Sequence, residues 1–315
     1  ADEASVIKNL NVFPANNLID VINQLNGTKK IDSHHVDLEN IFNNPEKYEY
    51  DFCEVKGQES VKRALEIAAA GSHSCLMIGP PGSGKTMLAR RLPSILPPLT
   101  FEEALEVTRI YSIAGCLPTK TPLITKRPFR SPHHTVSAVA LTGGGKYPKP
   151  GEISLAHYGV LFLDEIPEFD RKTLEAMRQP LEDGNVTISR LNASVAYPSK
   201  TTLILAGNPC PCGNAFDPSK VCTCTPLQIK NYLGKLSGPL LDRIDIYIEI
   251  LPVKYKELDD EAYGEKSETI RKRVIKARKI QLERYKGLKI YSNSQLSTSA
   301  INRFCKLDGE CKILI

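Results

Sequence analysis

Short apolar runs, each bounded by glycine, proline or charged residues, are the clearest pattern along the first two thirds of the chain. Three of them are Cys75–Ile78, Gly159–Leu163 and Thr202–Ala206. Runs of this length without polar alternation are typical of strands buried on both faces of a sheet, whereas a half-exposed strand alternates apolar and polar residues. We therefore predict that these three segments are central strands.

The segments between these strands carry a helical spacing of apolar residues. The predicted helices are Gln58–Ala70, Lys85–Leu92, Phe101–Tyr111 and Lys172–Leu181. Strands that alternate with helices predict a parallel sheet with helices on both faces, so the predicted fold class is α/β. Two more helical patterns lie outside this core, one at residues 17–25 and one at residues 267–286, in a smaller helical region after Pro252.

Two insertions interrupt this alternation. Residues 141–151 are too rich in glycine and proline for regular structure, which predicts a mobile loop. Residues 186–199 alternate apolar and polar positions around Leu191 and Asn192, which predicts a β-hairpin. The two insertions carry three basic residues, Lys146, Lys149 and Arg190.

The strongest chemical motif lies directly after the first predicted strand. Such a phosphate loop, G-x-x-x-x-G-K-[ST], turns its backbone N–H groups toward phosphate oxygens, and the following helix adds its positive N-terminus. We expect Lys85 to reach the β and γ phosphates of ATP, and Thr86 to ligate Mg²⁺. The alternative, a glycine-rich turn that binds nothing, is disfavoured by the strand before the motif and the helix after it. The motif residues are Gly79, Pro80, Pro81, Gly82, Ser83, Gly84, Lys85 and Thr86.

Two adjacent carboxylates, Asp164 and Glu165, end the second predicted strand. Neighbouring acids at the mouth of a buried strand are costly unless they meet a cation. We therefore predict that Asp164 holds Mg²⁺, directly or through water, and that Glu165 polarises the attacking water. On its own the pair favours a strand that simply ends in solvent, and the phosphate loop upstream reverses that preference.

Two polar residues further along complete the predicted catalytic set. Asn208 follows the third strand, where a side chain can orient water near the γ phosphate, although Asn208-Pro209 is also a good turn opener. Arg243 lies among apolar neighbours at a predicted helix end. It is either a salt-bridged structural residue or an arginine finger, which stabilises transition-state charge and is worth on the order of 10³ to 10⁵ in rate.

These elements in this order resemble the AAA+ ATPases, and more closely the magnesium chelatase subunit I group with its ComM (YifB) family. The resemblance covers essentially the whole chain. The phosphate loop and the acidic strand indicate only an ATPase, whereas the His-His and Cys-Pro-Cys-Gly segments point to the ComM family. Besides the phosphate loop and the acidic strand, the segments that carry the resemblance are Val55–Gln58, Arg127–His134 with its two histidines, Gly151–His157, Gln179–Gly184 and Asn208–Gly213 with its two cysteines.

The resemblance implies an AAA+ core that uses ATP and Mg²⁺. In similar proteins the segment that matches Val55–Gln58 lies against the adenine, so Val55 and Gly57 belong to the predicted nucleotide-binding set. Met87, which directly follows the phosphate loop, is also in that set.

Arg243 matches the finger that acts on ATP bound by the neighbouring subunit, which implies a ring, with a homo-hexamer as the expected assembly. The two insertions match segments that face the central pore of related proteins, which makes Lys146, Lys149 and Arg190 candidate contacts to a polyanion. A solvated loop with a packed hairpin is an equal alternative.

By resemblance, the leading hypothesis is an ATP-driven motor that acts on DNA, by branch migration or a helicase-type activity in natural transformation and recombination. One alternative is a chelatase-type motor that remodels a protein partner for metal insertion, and another is a nucleotide-gated assembly module without translocation. The resemblance also predicts three regions. They are 1–45 as the tail of an amino-terminal Lon-like domain, 46–251 as the ATPase core and 252–315 as an incomplete helical domain.

Bulk composition narrows the class of protein without choosing its cargo. Of the 315 residues 41% are hydrophobic, and no apolar stretch approaches the length of a membrane span, so we expect no membrane partner. The start of the chain lacks a signal-type segment, from which we expect a cytoplasmic protein. The net charge of +5 permits nucleic-acid binding without requiring it, and the basic run in residues 267–286 is more typical of a solvated helix face than of DNA contact.

Four of the nine cysteines form two C-x-C pairs: Cys210, Cys212, Cys222 and Cys224. In a chain expected to be cytoplasmic, cysteines are more often thiols or metal ligands than disulfides. Four thiolates at paired spacing could close a tetrahedral Zn²⁺ site and pin a loop with too few apolar residues to fold alone. Because C-x-C is tighter than the usual C-x₂₋₄-C spacing, reduced free thiols are an equal alternative.

Overall fold

The computed structural model describes residues 1–7, 10–43, 48–119, 121–190, 193–236, 238–253, 264–288 and 290–314, and for residues 39, 43, 190, 193 and 314 the backbone alone. The strands in these residues are numbered in chain order. They are β1 Cys75–Ile78, β2 Phe129–Arg130, β3 Gly143–Gly144, β4 Lys149–Pro150, β5 Val160–Leu163, β6 Asn185–Arg190, β7 Ala193–Pro198, β8 Thr202–Gly207 and β9 Ile246–Glu249.

Five of these strands form one parallel sheet in the order β2-β5-β8-β1-β9. The three predicted strands, β1, β5 and β8, occupy its centre, so the predicted α/β fold class is confirmed. Leu205 of β8 lies opposite Leu76 of β1 on one side and opposite Leu163 of β5 on the other. The three strands therefore end at the same edge of the sheet, where the phosphate loop, the acidic pair and Asn208 begin.

The edge strands β2 and β9 have no counterpart among the predicted strands. β2 has two residues, which is too short for a periodic signal. In β9 an exposed Tyr247 precedes a buried Ile248, so the segment lacks the continuous apolar run of a central strand. The side chains of an edge strand are less buried than those of a central strand. The apolar run that predicts a strand is therefore weaker at the edges of the sheet.

Each face of the sheet has its own apolar cluster. Met77 of β1 lies in one cluster with Phe162 and Ile204, whereas its neighbour Leu76 lies in the other cluster with Leu205. Successive side chains of a strand point to opposite faces, so a strand covered on both faces needs an unbroken apolar run. Burial of each such side chain stabilises the fold by about 1.5 to 3 kcal/mol.

Helices cover both clusters. The α-helices are Leu18–Leu25, Leu38–Asn43, Glu59–Gly71, Lys85–Ile95, Phe101–Ala114, Ala138–Thr142, Glu152–Leu155, Arg171–Ala176, Arg178–Asp183, Pro226–Leu233, Gly238–Leu241, Ser267–Arg284, Thr298–Phe304 and Gly309–Leu314. Short 3-10 turns lie at Ala4–Val6, Phe52–Glu54, Ile166–Glu168 and Asn293–Gln295. No helix in the described ranges is both long and apolar enough to cross a membrane.

One predicted helix, Lys172–Leu181, is wrong as a single element. The structure divides it into Arg171–Ala176 and Arg178–Asp183. Pro180 has no N–H to donate to the carbonyl of Ala176, four residues earlier, and its ring crowds that carbonyl. The first helix therefore ends at Ala176.

The two insertions form antiparallel ladders. β6 pairs with β7, so the predicted hairpin is confirmed, while its turn residues Leu191 and Asn192 lie outside the described residues. The prediction that residues 141–151 lack regular structure is wrong at β3 and β4, which pair with each other. A Cβ atom at Gly143 would lie 2.5 Å from the Lys149 carbonyl oxygen, so the glycine that suggested a loop is what allows the two backbones to approach.

The basic helix Ser267–Arg284 packs against helix Glu59–Gly71. Arg273 donates to both carboxylate oxygens of Glu66, at 2.7 and 3.0 Å, and this contact lowers the pKa of Glu66. Arg278 donates to the Ser72 hydroxyl at 2.7 Å. Two members of the basic run therefore attach this helix to the sheet domain.

Candidate nucleotide site

The phosphate loop leaves the end of β1 and enters helix Lys85–Ile95. Gly82 and Gly84 have positive φ angles of 77° and 89°, which glycine adopts without strain. The Ser83 N–H donates to the Pro80 carbonyl at 3.3 Å and closes the turn. Strand, turn and helix therefore follow one another in the order that phosphate binding requires.

Lys85 lies inside this loop with 8% of its surface exposed. Its Nζ donates to the carbonyl oxygens of Gly79 and Pro80, at 2.7 and 2.9 Å, and to Asn208 Oδ1 at 3.3 Å. Burial lowers the pKa of Lys85, and the nearby carboxylates oppose that shift. The ammonium group is thus held by oxygen acceptors from two different strand ends.

Thr86 and Asp164 come together from positions 78 residues apart. The Thr86 hydroxyl donates to Asp164 Oδ2 at 2.5 Å. Hydroxyl and carboxylate oxygens are the hard ligands that Mg²⁺ prefers, commonly alongside water and phosphate oxygens. The predicted Mg²⁺ ligands therefore meet at the carboxyl ends of β1 and β5.

Glu165 follows Asp164 in an unusual backbone conformation. Its φ angle is 53°, in the left-handed region, and its N–H donates to Asp164 Oδ1 at 2.9 Å. Non-glycine residues are held in this region at functional sites more often than elsewhere. The Glu165 side chain is exposed, with its carboxylate open to solvent.

His134 is a residue of this site to which sequence reasoning assigned no role. Its Nδ1 lies 3.2 Å from Glu165 Oε2, and its ring centroid lies 4.0 Å from that of His133 at an interplanar angle of 36°. β2 pairs with β5 in parallel, so residues that follow Arg130 lie near residues that follow Leu163. β2 is not among the strands predicted from the sequence. A predicted β2 beside β5 would have placed His134 near Glu165.

The segment predicted to contact the adenine lies next to the phosphate loop. Gln58 Nε2 donates to the Ser83 carbonyl at 2.7 Å, and its buried Oε1 has no hydrogen-bond partner among the described residues. Val55 is fully buried in an apolar cluster, whereas Gly57 is half-buried and Met87 is exposed. The contacts of Val55, Gly57 and Met87 with a nucleotide stay predictions.

These residues fit a nucleotide phosphate with Mg²⁺. The site has the required backbone turn, a buried ammonium group, and a hydroxyl beside a carboxylate. A bound phosphate would supply acceptors for Lys85 and for the N–H groups of the loop. The donor set therefore matches the predicted ligand in charge and in chemistry.

Arg243 does not contact these groups in its own chain. It lies just after helix Gly238–Leu241, with 49% of its side chain exposed, and donates to Glu182 Oε1 at 2.5 Å. Glu182 also pairs with Arg178 at 3.6 Å. The structural alternative for Arg243, a salt bridge, is thus present, and its exposure leaves it accessible to a second subunit.

The four paired cysteines also converge, although the chain separates them into two segments. Their sulfur atoms all lie within 4.8 Å of one another. Backbone N–H groups of Asn214 and Thr223 lower the pKa of Cys212 to about 6. The predicted cluster therefore exists, and its occupancy by Zn²⁺ stays a prediction.

Comparison with known proteins identifies the family. Residues 51–258 match the family described as magnesium chelatase, subunit ChlI, and residues 264–315 match its C-terminal region. The chain belongs to the magnesium chelatase subunit ChlI family. Together with the sheet order, this makes it an AAA+ ATPase-type domain, as the resemblance implies.

The relatives of this ChlI-family chain fall into two groups. It is 44% identical to competence protein ComM of Haemophilus influenzae over 98% of this chain and 60% of that protein. It is 50% identical to YifB of Salmonella typhimurium over 82% of this chain and 50% of that protein. The magnesium-chelatase 38 kDa subunit of Cereibacter sphaeroides is 25% identical over 52% of this chain and 54% of that protein. The ChlI-family chain thus resembles ComM and YifB, and spans about half their length.

Proposed function

We propose that this chain is the ATP-hydrolysing core of a ComM-like ring motor that acts on DNA. The observation that carries the ATPase part is the meeting of three strand ends, where Lys85 contacts Asn208 and Thr86 contacts Asp164. Support for the ComM-like part comes from 44% identity over 98% of the chain to a protein named for competence. The DNA cargo follows from that relative by analogy.

Each group at the strand ends has a role in phosphoryl transfer. Lys85 would neutralise phosphate charge, and the oxygens of Thr86 and Asp164 would hold Mg²⁺, which when bound would offset the charge that develops on the leaving phosphates. Glu165 accepts a proton from water and so raises its nucleophilicity. Asn208, fixed by Lys85, orients that water.

Arg243 completes this site from a neighbouring copy of the chain. Its guanidinium is exposed and paired with an exposed carboxylate, Glu182, so it can exchange that partner for a phosphate at little cost. A finger donated between copies makes hydrolysis depend on assembly. We propose a closed ring, with six copies as in the expectation from the resemblance.

The two insertions are the proposed DNA contacts. Lys146 and Lys149 are exposed next to an exposed Tyr147, a combination suited to phosphates and to stacking on single-stranded bases. The side chain of Arg190, the third candidate, lies outside the described residues. Cytoplasmic location and the lack of a membrane partner belong to the same proposal, since a DNA motor of this kind works where DNA is.

A chelatase-type motor with a protein partner is the second candidate. It draws on the match to the Cereibacter sphaeroides chelatase subunit, at 25% identity over half the chain. The nucleotide-gated assembly module is the third, and it predicts ATP binding without turnover. Both share the nucleotide site, so cargo and turnover must be measured directly.

The deciding experiment measures ATPase activity of the full-length protein with single-stranded and forked DNA at several salt concentrations. We expect stimulation by DNA that weakens as salt rises. The variant Lys146→Ala with Lys149→Ala should lower the salt slope by about two, whereas the matched control Lys306→Ala, an exposed lysine elsewhere, should not. No stimulation, with no binding near physiological salt, would favour the protein-remodelling motor. Absence of turnover with intact binding would favour the assembly module.

A further inference from the structure

Residues 209–225 connect β8 to helix Pro226–Leu233 without a helix or strand of their own. Their large apolar side chains do not form a core, because Phe216 and Val221 are exposed. The buried residues here include Cys210 and Asp217. An apolar cluster therefore does not explain how this loop keeps its shape.

The cysteine sulfur atoms form contacts between the two ends of this loop. Cys222 Sγ lies 3.7 Å from Cys210 Sγ and 3.7 Å from Cys212 Sγ, and the latter two are 3.4 Å apart. Cys224 Sγ completes a group of four within 4.8 Å. Two C-x-C segments thus present four sulfur atoms to one point.

These distances match one chemical arrangement well. A tetrahedral zinc site with Zn–S bonds of about 2.3 Å has sulfur atoms about 3.8 Å apart. A disulfide requires about 2.05 Å between sulfur atoms, and the shortest contact here is 3.4 Å. The cluster is therefore shaped for a shared ion rather than for a covalent pair.

The backbone around the cluster donates to it as well. The N–H groups of Asn214 and Thr223 hydrogen-bond to Cys212 Sγ. Donors of this kind orient thiolate ligands and offset their negative charge in metal sites. Asn214 follows the first C-x-C pair and Thr223 lies within the second, so backbone groups from both parts of the loop contact the same sulfur atom.

This loop touches the nucleotide site at two points. Asn208, two residues before Cys210, accepts a hydrogen bond from Lys85. Gly213 packs on the phosphate loop so closely that a Cβ atom there would lie 2.5 Å from Pro81 Cδ, and its φ angle of 80° also favours glycine. Cys210 and Cys212 therefore lie, in the chain, between two contacts with the phosphate loop.

We propose that Cys210, Cys212, Cys222 and Cys224 bind one Zn²⁺ ion as four thiolates, and that this ion fixes Asn208 and Gly213 against the phosphate loop. The ion is structural, since four protein ligands fill its coordination sphere. Its loss should free the loop and misplace Asn208. Metal binding stands independently of the proposed ATPase activity, whereas the coupling rests on it.

The metal is tested by its content in the full chain, purified under reducing conditions from zinc-supplemented cells. Mass spectrometry of the metal should give about one zinc per chain in the wild type and in Cys116→Ser, an exposed cysteine outside the cluster. Cys222→Ser should contain far less. Substitution with Co²⁺ should give the thiolate charge-transfer bands of a tetrahedral site. A wild-type content well below one, or a native mass lacking two hydrogens per cysteine pair, would overturn the site.

The coupling is tested by removing zinc from the wild-type protein with a chelator and a reductant. We expect ATP affinity to persist and turnover to fall by about 10- to 100-fold, since a 1 Å misplacement can cost that much. Added Zn²⁺ should restore it. Unchanged turnover after removal would overturn the coupling, and zinc-replete protein without any ATPase would instead count against the proposed function while leaving the metal site standing.

Discussion

The site at the ends of β1, β5 and β8 and the region of Arg243 differ in burial and in the number of contacts that each makes within one chain. At the strand ends, Lys85 and Thr86 are partnered by groups of the same chain, and Lys85 is almost fully buried. Arg243 is half-exposed and pairs only with an exposed carboxylate among the contacts described. The first region holds its polar groups in place within one chain, whereas the second has its charge at the surface.

This difference indicates which step of the proposed motor depends on assembly. Buried, mutually bonded groups keep their geometry without a partner, so nucleotide binding should be a property of each chain. An exposed ion pair contributes about 0 to 1 kcal/mol, so Arg243 can leave Glu182 easily. Hydrolysis should then be a property of the assembly, and substitutions in the two regions test that division.

The largest effect is expected for Arg243→Ala. Turnover should fall by about 10³- to 10⁵-fold, because an arginine finger stabilises transition-state charge, while ATP affinity stays near wild type. Steady-state ATPase assays and nucleotide titration measure the two quantities. Arg178→Ala is the matched control, since Arg178 shares Glu182 as partner.

Mixed assemblies sharpen this test. A subunit with Arg243→Ala keeps its own phosphate loop, and a subunit with Lys85→Ala keeps its Arg243, so mixing the two inactive variants should recover part of the activity. Normal turnover by Arg243→Ala alone would remove the finger role and the division with it.

The next effect is expected for Glu165→Gln. Turnover should fall by about 10²- to 10⁴-fold because the proton acceptor is lost, while ATP remains bound. Lys85→Ala should instead weaken ATP binding itself. Equal loss of binding in both variants, measured by titration with a fluorescent ATP analogue, would contradict the separate roles.

A smaller effect is expected for Asn208→Ala. This change removes the Oδ1 atom that lies 3.3 Å from Lys85, and we expect turnover to fall by about 10- to 100-fold with little change in KM. Asn214→Ala is a control on the same loop. If KM alone rises, Asn208 serves binding rather than the orientation of water.

The smallest effect is expected for His134→Gln. The histidine lies 3.2 Å from an exposed glutamate, so loss of the contact should slow turnover by at most about fivefold, the rate equivalent of about 1 kcal/mol. His133→Gln is the control, because the His133 ring nitrogen hydrogen-bonds to Thr135 and not to Glu165. An effect as large as that of Glu165→Gln would show that His134 takes part in proton transfer.

Much of the fold and of the candidate site could be predicted from the sequence because the signals are local. β1, β5 and β8 are buried on both faces, which forces unbroken apolar runs, and the phosphate loop has a dense motif between a strand and a helix. The prediction of one helix at Lys172–Leu181 was wrong, although the segment contains a proline that disfavours a continuous helix. Pro180 marks the break, which the periodicity of the apolar residues does not show.

The contacts of His134, Arg243 and the cysteines could not be predicted in the same way. His134 meets Glu165 only because a two-residue strand pairs with β5, and so short a strand leaves no periodic signal. The cysteine spacing suggested a metal site but not whether both pairs face one point. That depends on how residues 209–225 cross the phosphate loop.

The sequence by itself determined the phosphate loop, the buried strands and the identity of the polar groups that end them, because these follow from neighbouring residues. Only the tertiary structure decided which of those groups touch. The order β5-β8-β1 brings Asp164 to Thr86 and Asn208 to Lys85 across long stretches of chain. Strand order is set by the packing of two apolar faces against helices, a property of the whole core that no single segment carries.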